Sequence, residues 1–471
     1  MRILLTGATG YIGKRMIPVL LSGGHEVICC VRDGNRFVFD TPYSDRIKVL
    51  EIDFLKKETL EQIPVDIDAA YYLIHSMASA TQDFEQLEAL SASNFAAAIA
   101  RTNVRQVIYL SGIVNEDKLS KHLRSRKKVE EILSSSNFSL TTLRAGIIAG
   151  SGSASFEIIR DLVEKLPVMI APRWLNTRSQ PIAIRNVIQF LNGVLLNEST
   201  FNESFDIGGP EILTYKQMLL KYAEVRKLKR IVVTVPVMSP RLSSYWLYFV
   251  TSTSYKLAVN LVNSMKVEIV CRNNDLSEKL DIELITYKEA VNMAFDRIAQ
   301  QEVLSSWTDA MSGDGLPNLS ELINIPSYGC YHDSREAKVS DEEQTLDRIW
   351  SIGGDTGWYY ANFLWKFRGF IDKIVGGVGL RRGRRNPKDI ASGESLDFWR
   401  VIYANRSEKR LLLYAEMKLP GEAWLEFRIV NGILKQTASF RPLGLLGRIY
   451  WYAVLPLHGI IFNGMIKKLA K

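Results

Sequence analysis

Cysteine is scarce: Cys29, Cys30, Cys271 and Cys330 are the only four in 471 residues, and none of them forms a CxxC pair. So low a count excludes a disulfide scaffold, and the spacing offers no metal-ligand set. No metal is therefore expected, and a reducing, cytoplasmic compartment fits best. Also absent at the N-terminus are a charged leader, a long apolar core and a small-residue cleavage site; the chain opens on the strand-like run Arg2 to Thr6, so export is not expected. Internal repeats and low-complexity tracts are missing too. One stretch stands apart: Ile449 to Ile466 carries no Asp, Glu, Lys or Arg and is followed by Lys467 and Lys468. It is barely long enough to span a membrane, and Pro456, His458, Asn463 and two glycines favour a buried or amphipathic helix instead.

Acidic charge runs short in one region only. Residues 331–471 hold 23 basic and 15 acidic side chains, so the +8 of the whole chain resides there, while residues 1–330 balance at 36 of each. A local excess points to an anionic partner such as a phosphorylated ligand or a lipid headgroup, and away from a protein that coats nucleic acid. With 47% hydrophobic and 23% charged residues, the chain is apolar enough to build more than one core.

The first 150 residues alternate short β-branched runs with helical patterns, the signature of a doubly wound parallel α/β sheet, that is, a Rossmann fold. Strands are predicted at Ile3 to Leu5, Glu26 to Val31, Ile47 to Ile52, Ala69 to Ile74, Gln106 to Leu110 and Ser139 to Leu143. Helices are predicted at Tyr11 to Leu21, Phe84 to Arg101 and Lys118 to Ser134. Residues 151–305 read as a small second lobe, 306–334 as a linker rich in Gly, Pro, Ser and Asn, and 335–471 as a separate α+β domain. In that domain an antiparallel sheet, with a hairpin at Asn431-Gly432, ends in a long helix from Leu446 to Leu469.

Thr6-Gly7-Ala8-Thr9-Gly10-Tyr11-Ile12-Gly13 follows the first strand and opens a helix. Gly7 permits the tight turn, Gly10 lets the backbone approach a pyrophosphate, and Gly13 lets helix and strand pack closely, with Thr9, Tyr11 and Ile12 completing the loop at the helix N-terminus. The second strand ends in Val31-Arg32-Asp33. Arg32 is placed to pair with the 2′-phosphate of NADP, whereas an acidic residue there would read the ribose of NAD; the choice falls on NADP, with NAD as the alternative. Asp53 either faces the adenine amino group or caps the following helix.

These motifs resemble the short-chain dehydrogenase/reductase superfamily in its extended and atypical branches, the epimerase-like and NmrA-like forms among them. The glycines match TGxxGxxG. The resemblance implies that Asp53 and Phe54, in Ile52-Asp53-Phe54, lie on the adenine side, and that Leu73, Ile74 and His75, in Tyr72-Leu73-Ile74-His75-Ser76, lie beside the nicotinamide ribose. Ser111, in Tyr109-Leu110-Ser111-Gly112, falls where the family carries its catalytic serine. The family's Tyr-x-x-x-Lys pair is replaced by His122-Leu123-Arg124-Ser125-Arg126. His122 thereby becomes the candidate proton carrier and Arg126 the candidate for the ribose-holding, electrostatic role of the lysine.

Behind this region the sequence resembles an uncharacterised domain often fused to such reductases and similar to the polyketide cyclase and START-like (SRPBCC) helix-grip class. The matching stretches include Gly357-Trp358-Tyr359, Arg368-Gly369-Phe370-Ile371-Asp372, Leu396-Asp397-Phe398-Trp399-Arg400 and Tyr450-Trp451-Tyr452. Such a fold implies a tunnel for a small hydrophobic or anionic ligand. Trp358, Trp365, Trp399, Trp424 and Trp451 would line it, or form plain core, with His458 and Glu416 as its polar groups. Arg381, Arg382, Arg384 and Arg385 either hold a phosphate or form a solvated loop. The expected function is NADP-dependent oxidoreduction of a hydrophobic substrate. The alternatives are a non-catalytic NAD(P)H-binding sensor or accessory subunit, as in NmrA-type regulators or complex I, and a lipid-handling protein in peripheral contact with a membrane.

Overall fold

The computed structural model describes the chain apart from residues 33, 35–36, 38–42, 75–83, 114–120, 236–258, 260–264, 274, 300–329, 381–385 and 387, with backbone alone at several others, Lys121 and His122 among them. His75, Asp33 and the Arg381–Arg385 cluster therefore lie outside the described residues. What is described forms two compact units, one up to Ala299 and one from Cys330.

In the first unit β1 (Arg2–Leu5), β2 (Glu26–Val31), β3 (Ile47–Glu51), β4 (Ala69–Tyr72), β5 (Gln106–Gly112), β6 (Ser139–Ala145) and β7 (Ser204–Ile207) form one sheet, ordered β3-β2-β1-β4-β5-β6-β7. Every pairing is parallel. Parallel strands need crossover helices, so both faces are covered and the strands are apolar on both sides. Alternate residues go to opposite cores. Ile3, Leu5, Val27, Cys29 and Tyr71 pack with Met16, Ile17 and Leu20 of α1 (Gly13–Ser22), while Leu4, Ile28, Cys30, Ala70 and Tyr72 pack with Phe95 and Ile99 of α2 (Phe84–Ile99) and Val129 and Leu133 of α3 (Lys121–Ser134). Each of the Leu, Ile, Val, Met and Phe side chains among them, fully buried, contributes about 1.5–3 kcal/mol.

The six expected strands are present within two residues at each end. The seventh was not anticipated: Phe205-Asp206-Ile207 comes from the second lobe and pairs with Leu143, Arg144 and Ala145 of β6. The rest of the lobe holds α4 (Ala154–Lys165), α5 (Ile184–Gly193), α6 (Tyr215–Val225) and α7 (Tyr287–Ala299), with a parallel pair formed by Val168–Pro172 and Ile231–Val235. Helix α1 starts two residues later than its apolar spacing suggests, because Tyr11 and Ile12 belong to the turn before it.

The second unit is a six-stranded antiparallel sheet covered on one face by helices. Its elements are β8 (Tyr331–Lys338), α8 (Glu342–Trp350), α9 (Asn362–Ile374), β9 (Ser395–Leu396), β10 (Trp399–Asn405), β11 (Arg410–Ala415), β12 (Gly421–Val430), β13 (Ile433–Pro442) and α10 (Gly444–Leu469), with strand order β8-β13-β12-β11-β10-β9. Strand β8 begins inside the stretch read as linker, since its sequence YHDSREAK shows polar residues on both faces and draws its strand character from full-length pairing with β13. The β12–β13 hairpin turns at Asn431 (φ 51°) and Gly432 (φ 71°), the left-handed pair that a two-residue hairpin requires.

Trp358, Trp365 and Trp399 do meet: Trp358 stacks on Trp365 at 4.6 Å and lies 6.2 Å from Trp399. They pack into one core with Phe398 and Phe462. Trp424 does not join them. Strand alternation puts it on the opposite sheet face with Ile402, Leu412 and Tyr414. Glu416 shares that opposite side, held by Arg400, whose guanidinium is fully buried and bonds Glu416 at 2.9 Å and the Gly393 carbonyl at 2.9 Å. His458 sits instead among Trp451 (5.4 Å) and Phe462 (4.8 Å) on the inner face, where burial lowers its pKa. The two polar groups expected to share a cavity are thus separated by the sheet.

Leu425 is fully buried in the centre of β12. Leu425→Ala is expected to destabilise the protein by about 2–5 kcal/mol through lost transfer energy and a residual cavity, read by urea denaturation followed by circular dichroism.

Candidate functional site

In a parallel sheet all carboxyl ends lie along one edge, so the residues that follow the strands are brought together whatever their separation in sequence. The strand order reverses direction between β1 and β4, where neighbouring crossovers go to opposite faces and leave a crevice. Thr6 closes the base of this crevice. Its hydroxyl donates to the Tyr71 carbonyl at 3.0 Å and accepts from the Leu73 amide at 3.0 Å, tying the end of β1 to the end of β4. Thr6 was quoted in the motif without a role; its buried position between two strands is visible only in the fold.

The glycine turn sits directly above. Gly7 takes φ +65°, and a Cβ there would fall 2.8 Å from the Leu73 carbonyl oxygen. The Gly10 amide donates to the Gly7 carbonyl at 2.8 Å, and a Cβ on Gly13 would approach that same carbonyl to 2.2 Å. The chain therefore crosses itself so tightly that side chains are excluded. No side chain caps α1 at Ile12, as expected of a helix end kept clear for an anion. Thr9 and Ile12 are half-buried beside the turn. These features fit a dinucleotide's pyrophosphate.

Tyr11 has a scaffolding part. The Arg15 guanidinium covers its ring at 4.0 Å and donates to the Tyr11 carbonyl (2.9 Å) and the Ser151 carbonyl (3.0 Å), while burial pushes the Tyr11 phenol up to about 12. The small-residue loop 150–153 is thereby fastened to the glycine turn, and Ser153 caps α4 by accepting from the Phe156 amide. Arg15 was not singled out from sequence, although its four-residue step from Tyr11 is the available signal.

Arg32 follows β2 and is exposed at the sheet edge. Asp53 does not cap the following helix at Lys57–Gln62, whose N-cap is Lys56 without a side-chain hydrogen bond; its Oδ1 accepts instead from the Leu55 amide at 3.1 Å, in the turn before that helix. The Phe54 ring is buried in the core at 5.6 Å from Phe95, and its carbonyl accepts from Asn94. Leu73 and Ile74 continue from β4 at the crevice, half-buried.

At the next strand Ser111 is 2% exposed, and no hydrogen bond of normal geometry satisfies its Oγ. It lies by the Tyr109 phenol, where it and Arg126 favour ionisation, yet burial dominates and holds that phenol up at about 12. Arg126 reaches across from α3. Its Cδ and one terminal nitrogen lie 3.6 and 3.9 Å from the position of a Gly112 Cβ, and its Nε is buried with no hydrogen-bond partner. Ser111 and Arg126 thus both lie beside the Tyr109 phenol. The backbone of His122 lies one helical turn before Arg126; its side chain is outside the described residues. Beneath them Glu88 is buried and accepts from the Ser125 hydroxyl, an internal carboxylate that no sequence signal separates from a surface one. Among the described residues no group of His, Cys, Asp or Glu is arranged to hold a metal ion.

Because the Gly13 Cβ would collide with backbone, Gly13→Ala should destabilise the protein by about 1–3 kcal/mol in urea denaturation, as overpacking does. A stability equal to that of the unmodified chain would mean the turn can open without cost.

Residues 7–165 match the family described as NAD(P)H-binding, and residues 329–465 match one described as a protein of unknown function, DUF2867. Divinyl chlorophyllide a 8-vinyl-reductase of Arabidopsis thaliana is 23% identical over 225 residues, covering 44% of this chain and 53% of that one. The 40 kDa subunit of NADH-ubiquinone oxidoreductase from Neurospora crassa is 24% identical over 216 residues, covering 44% and 56%. The chain spans about half the length of the curated relatives it matches. Among solved structures, the Citrobacter sp. triphenylmethane reductase complexed with NADP(H) superposes with a TM-score of 0.52 at 18% identity, over 62% of this chain and all of that one. A nucleoside-diphosphate-sugar epimerase from Staphylococcus aureus gives 0.51 at 15%, over 62% and 99%. The NAD(P)H-binding match thus lies within the N-terminal unit, whose parallel α/β sheet shares its Rossmann-like fold with these solved structures, and the DUF2867 match lies on the C-terminal unit.

Proposed function

We propose that the protein is an NADP-dependent reductase acting on a hydrophobic, conjugated substrate. The observation that carries this reading is the meeting, at one edge of the sheet, of a turn in which Gly7 and Gly13 leave no room for a side chain with two buried, unpartnered polar atoms, Ser111 Oγ and Arg126 Nε. A bound NADPH supplies the hydride. The chain's own part is to hold and orient: the turn receives the pyrophosphate, Arg32 pairs with the 2′-phosphate, and Arg126 takes the ribose side. Leu73 and Ile74 flank the nicotinamide ribose, and Asp53 steadies the adenine side through its bond to the Leu55 amide. Ser111 donates a hydrogen bond to the substrate, and His122 carries a proton where one is needed.

Reduction of a conjugated carbon, unlike reduction of a ketone, requires no strong acid to protonate a developing alkoxide. That supports a reductase without the Tyr-x-x-x-Lys pair, and the names of the vinyl reductase and the triphenylmethane reductase lie in the same direction. In the C-terminal unit, the Gln436 amide and His458 Nδ1 are buried without hydrogen-bond partners, which supports a small ligand with a polar group on the inner sheet face. A second reading, a non-catalytic NAD(P)H sensor or accessory subunit, draws on the same missing pair and on the likeness to the Neurospora subunit.

Two measurements decide. Purified full-length protein should oxidise NADPH with a vinyl-conjugated or cationic arylmethane acceptor, and Arg126→Ala should lower kcat; cofactor binding without turnover across such a panel would instead establish the sensor. Arg32→Ala should weaken NADPH roughly 10- to 100-fold, the worth of a lost charge-assisted pair, and leave NADH unchanged in calorimetric titration. Tighter binding of NADH than of NADPH by the unmodified protein would overturn the cofactor assignment.

A further inference from the structure

Helix α10 is apolar on both sides. Trp451, Phe462, Met465, Ile466 and Leu469 face the sheet and are buried, yet the outer side carries Leu445 (73% exposed), Leu446 (75%), Ile449, Tyr452, Leu457 and Ile460. A surface helix of a soluble domain normally turns polar residues outward. Helix α9 repeats the anomaly: Phe363 (70% exposed), Phe367, Phe370, Ile371 and Ile374 follow four-, three-, one- and three-residue steps along one face. Both helices cover the same side of the sheet, since Trp365 of α9 meets Phe462 of α10 at 6.3 Å in one core. Their outer faces therefore both turn away from the sheet on that side.

The exposed charge on these two helices has one sign. Lys366, Arg448, Lys467 and Lys468 are exposed on these helices, and the single acid in either, Asp372, is fully buried and accepts from the Gly379 and Lys418 amides. The uncharged run of α10 is long enough to cross a membrane, but crossing would withdraw the very residues that close the core: Trp451 stacks on Phe440 at 5.8 Å and on Tyr331 at 5.5 Å. An apolar layer fixed to a folded sheet, on two helices whose exposed charges are all cationic, matches the boundary between headgroups and acyl chains.

We propose that the C-terminal unit docks on an anionic phospholipid bilayer, with the outer faces of α9 and the N-terminal half of α10 lying in the interface. The full-length protein should sediment with vesicles of phosphatidylcholine and phosphatidylglycerol, and roughly tenfold less with phosphatidylcholine alone, since each cation near the surface adds to the attraction. Phe367→Glu and Ile449→Glu should each cut binding about tenfold or more by placing a charge at the interface. Leu220→Glu, at an exposed apolar position of α6 in the other unit, should not. Circular dichroism identifies any variant that fails to fold, and Phe363→Ser and Phe367→Ser together supply the milder change. Failure of the unmodified protein to bind anionic vesicles, or undiminished binding by the folded variants, overturns the proposal. So does a dimer in light scattering that the same substitutions dissociate without any lipid binding, which would assign the face to a second copy.

Discussion

Parallel hydrogen bonding of β1 to β2 on one side and to β4 on the other is the constraint on which the N-terminal unit depends. It sends α1 to one face and α2 to the other, and it opens the crevice at the carboxyl edge where the order of strands reverses. The Thr6 hydroxyl, bonded to both ends of β4's continuation, holds that crevice at a fixed width. With the width fixed, the glycine turn has no room for side chains, and the first turn of α1 is aimed at whatever fills the space. Ser111, from a third strand, and Arg126, from the helix after it, are added to the same edge by the same geometry. Polar atoms buried there without partners cost free energy, about 1–3 kcal/mol each, which a bound ligand can restore.

The C-terminal unit rests on a different rule, the alternation of side chains along antiparallel strands. One face of the sheet receives the tryptophan-rich core and three helices; the other buries a smaller cluster and the Arg400–Glu416 pair. A fully buried guanidinium is tolerable only because a carboxylate and the Gly393 carbonyl replace its water. The helices on the first face have one apolar side committed to this core. A second apolar side is left outward, and that surplus is what separates this unit from a domain built solely to be soluble.

Local chemistry was enough to specify several features. Glycines at positions 7, 10 and 13 directly after an apolar strand specify the tight strand-to-helix turn, and Asn431-Gly432 specifies a tight hairpin, because few residues tolerate positive φ. Alternating strand and helix patterns likewise determined the parallel sheet. Three kinds of feature were decided by tertiary structure alone. Strand β7 exists because the edge of β6 offers it hydrogen bonds, which its own four residues do not announce. Phe54 turns inward and Asp53 caps a turn because Phe95 and the Leu55 amide are there to receive them. The outward apolar sides of α9 and α10 emerge only once the sheet has claimed their inner sides, since periodicity shows that a helix is apolar but burial shows which of its faces has found a partner.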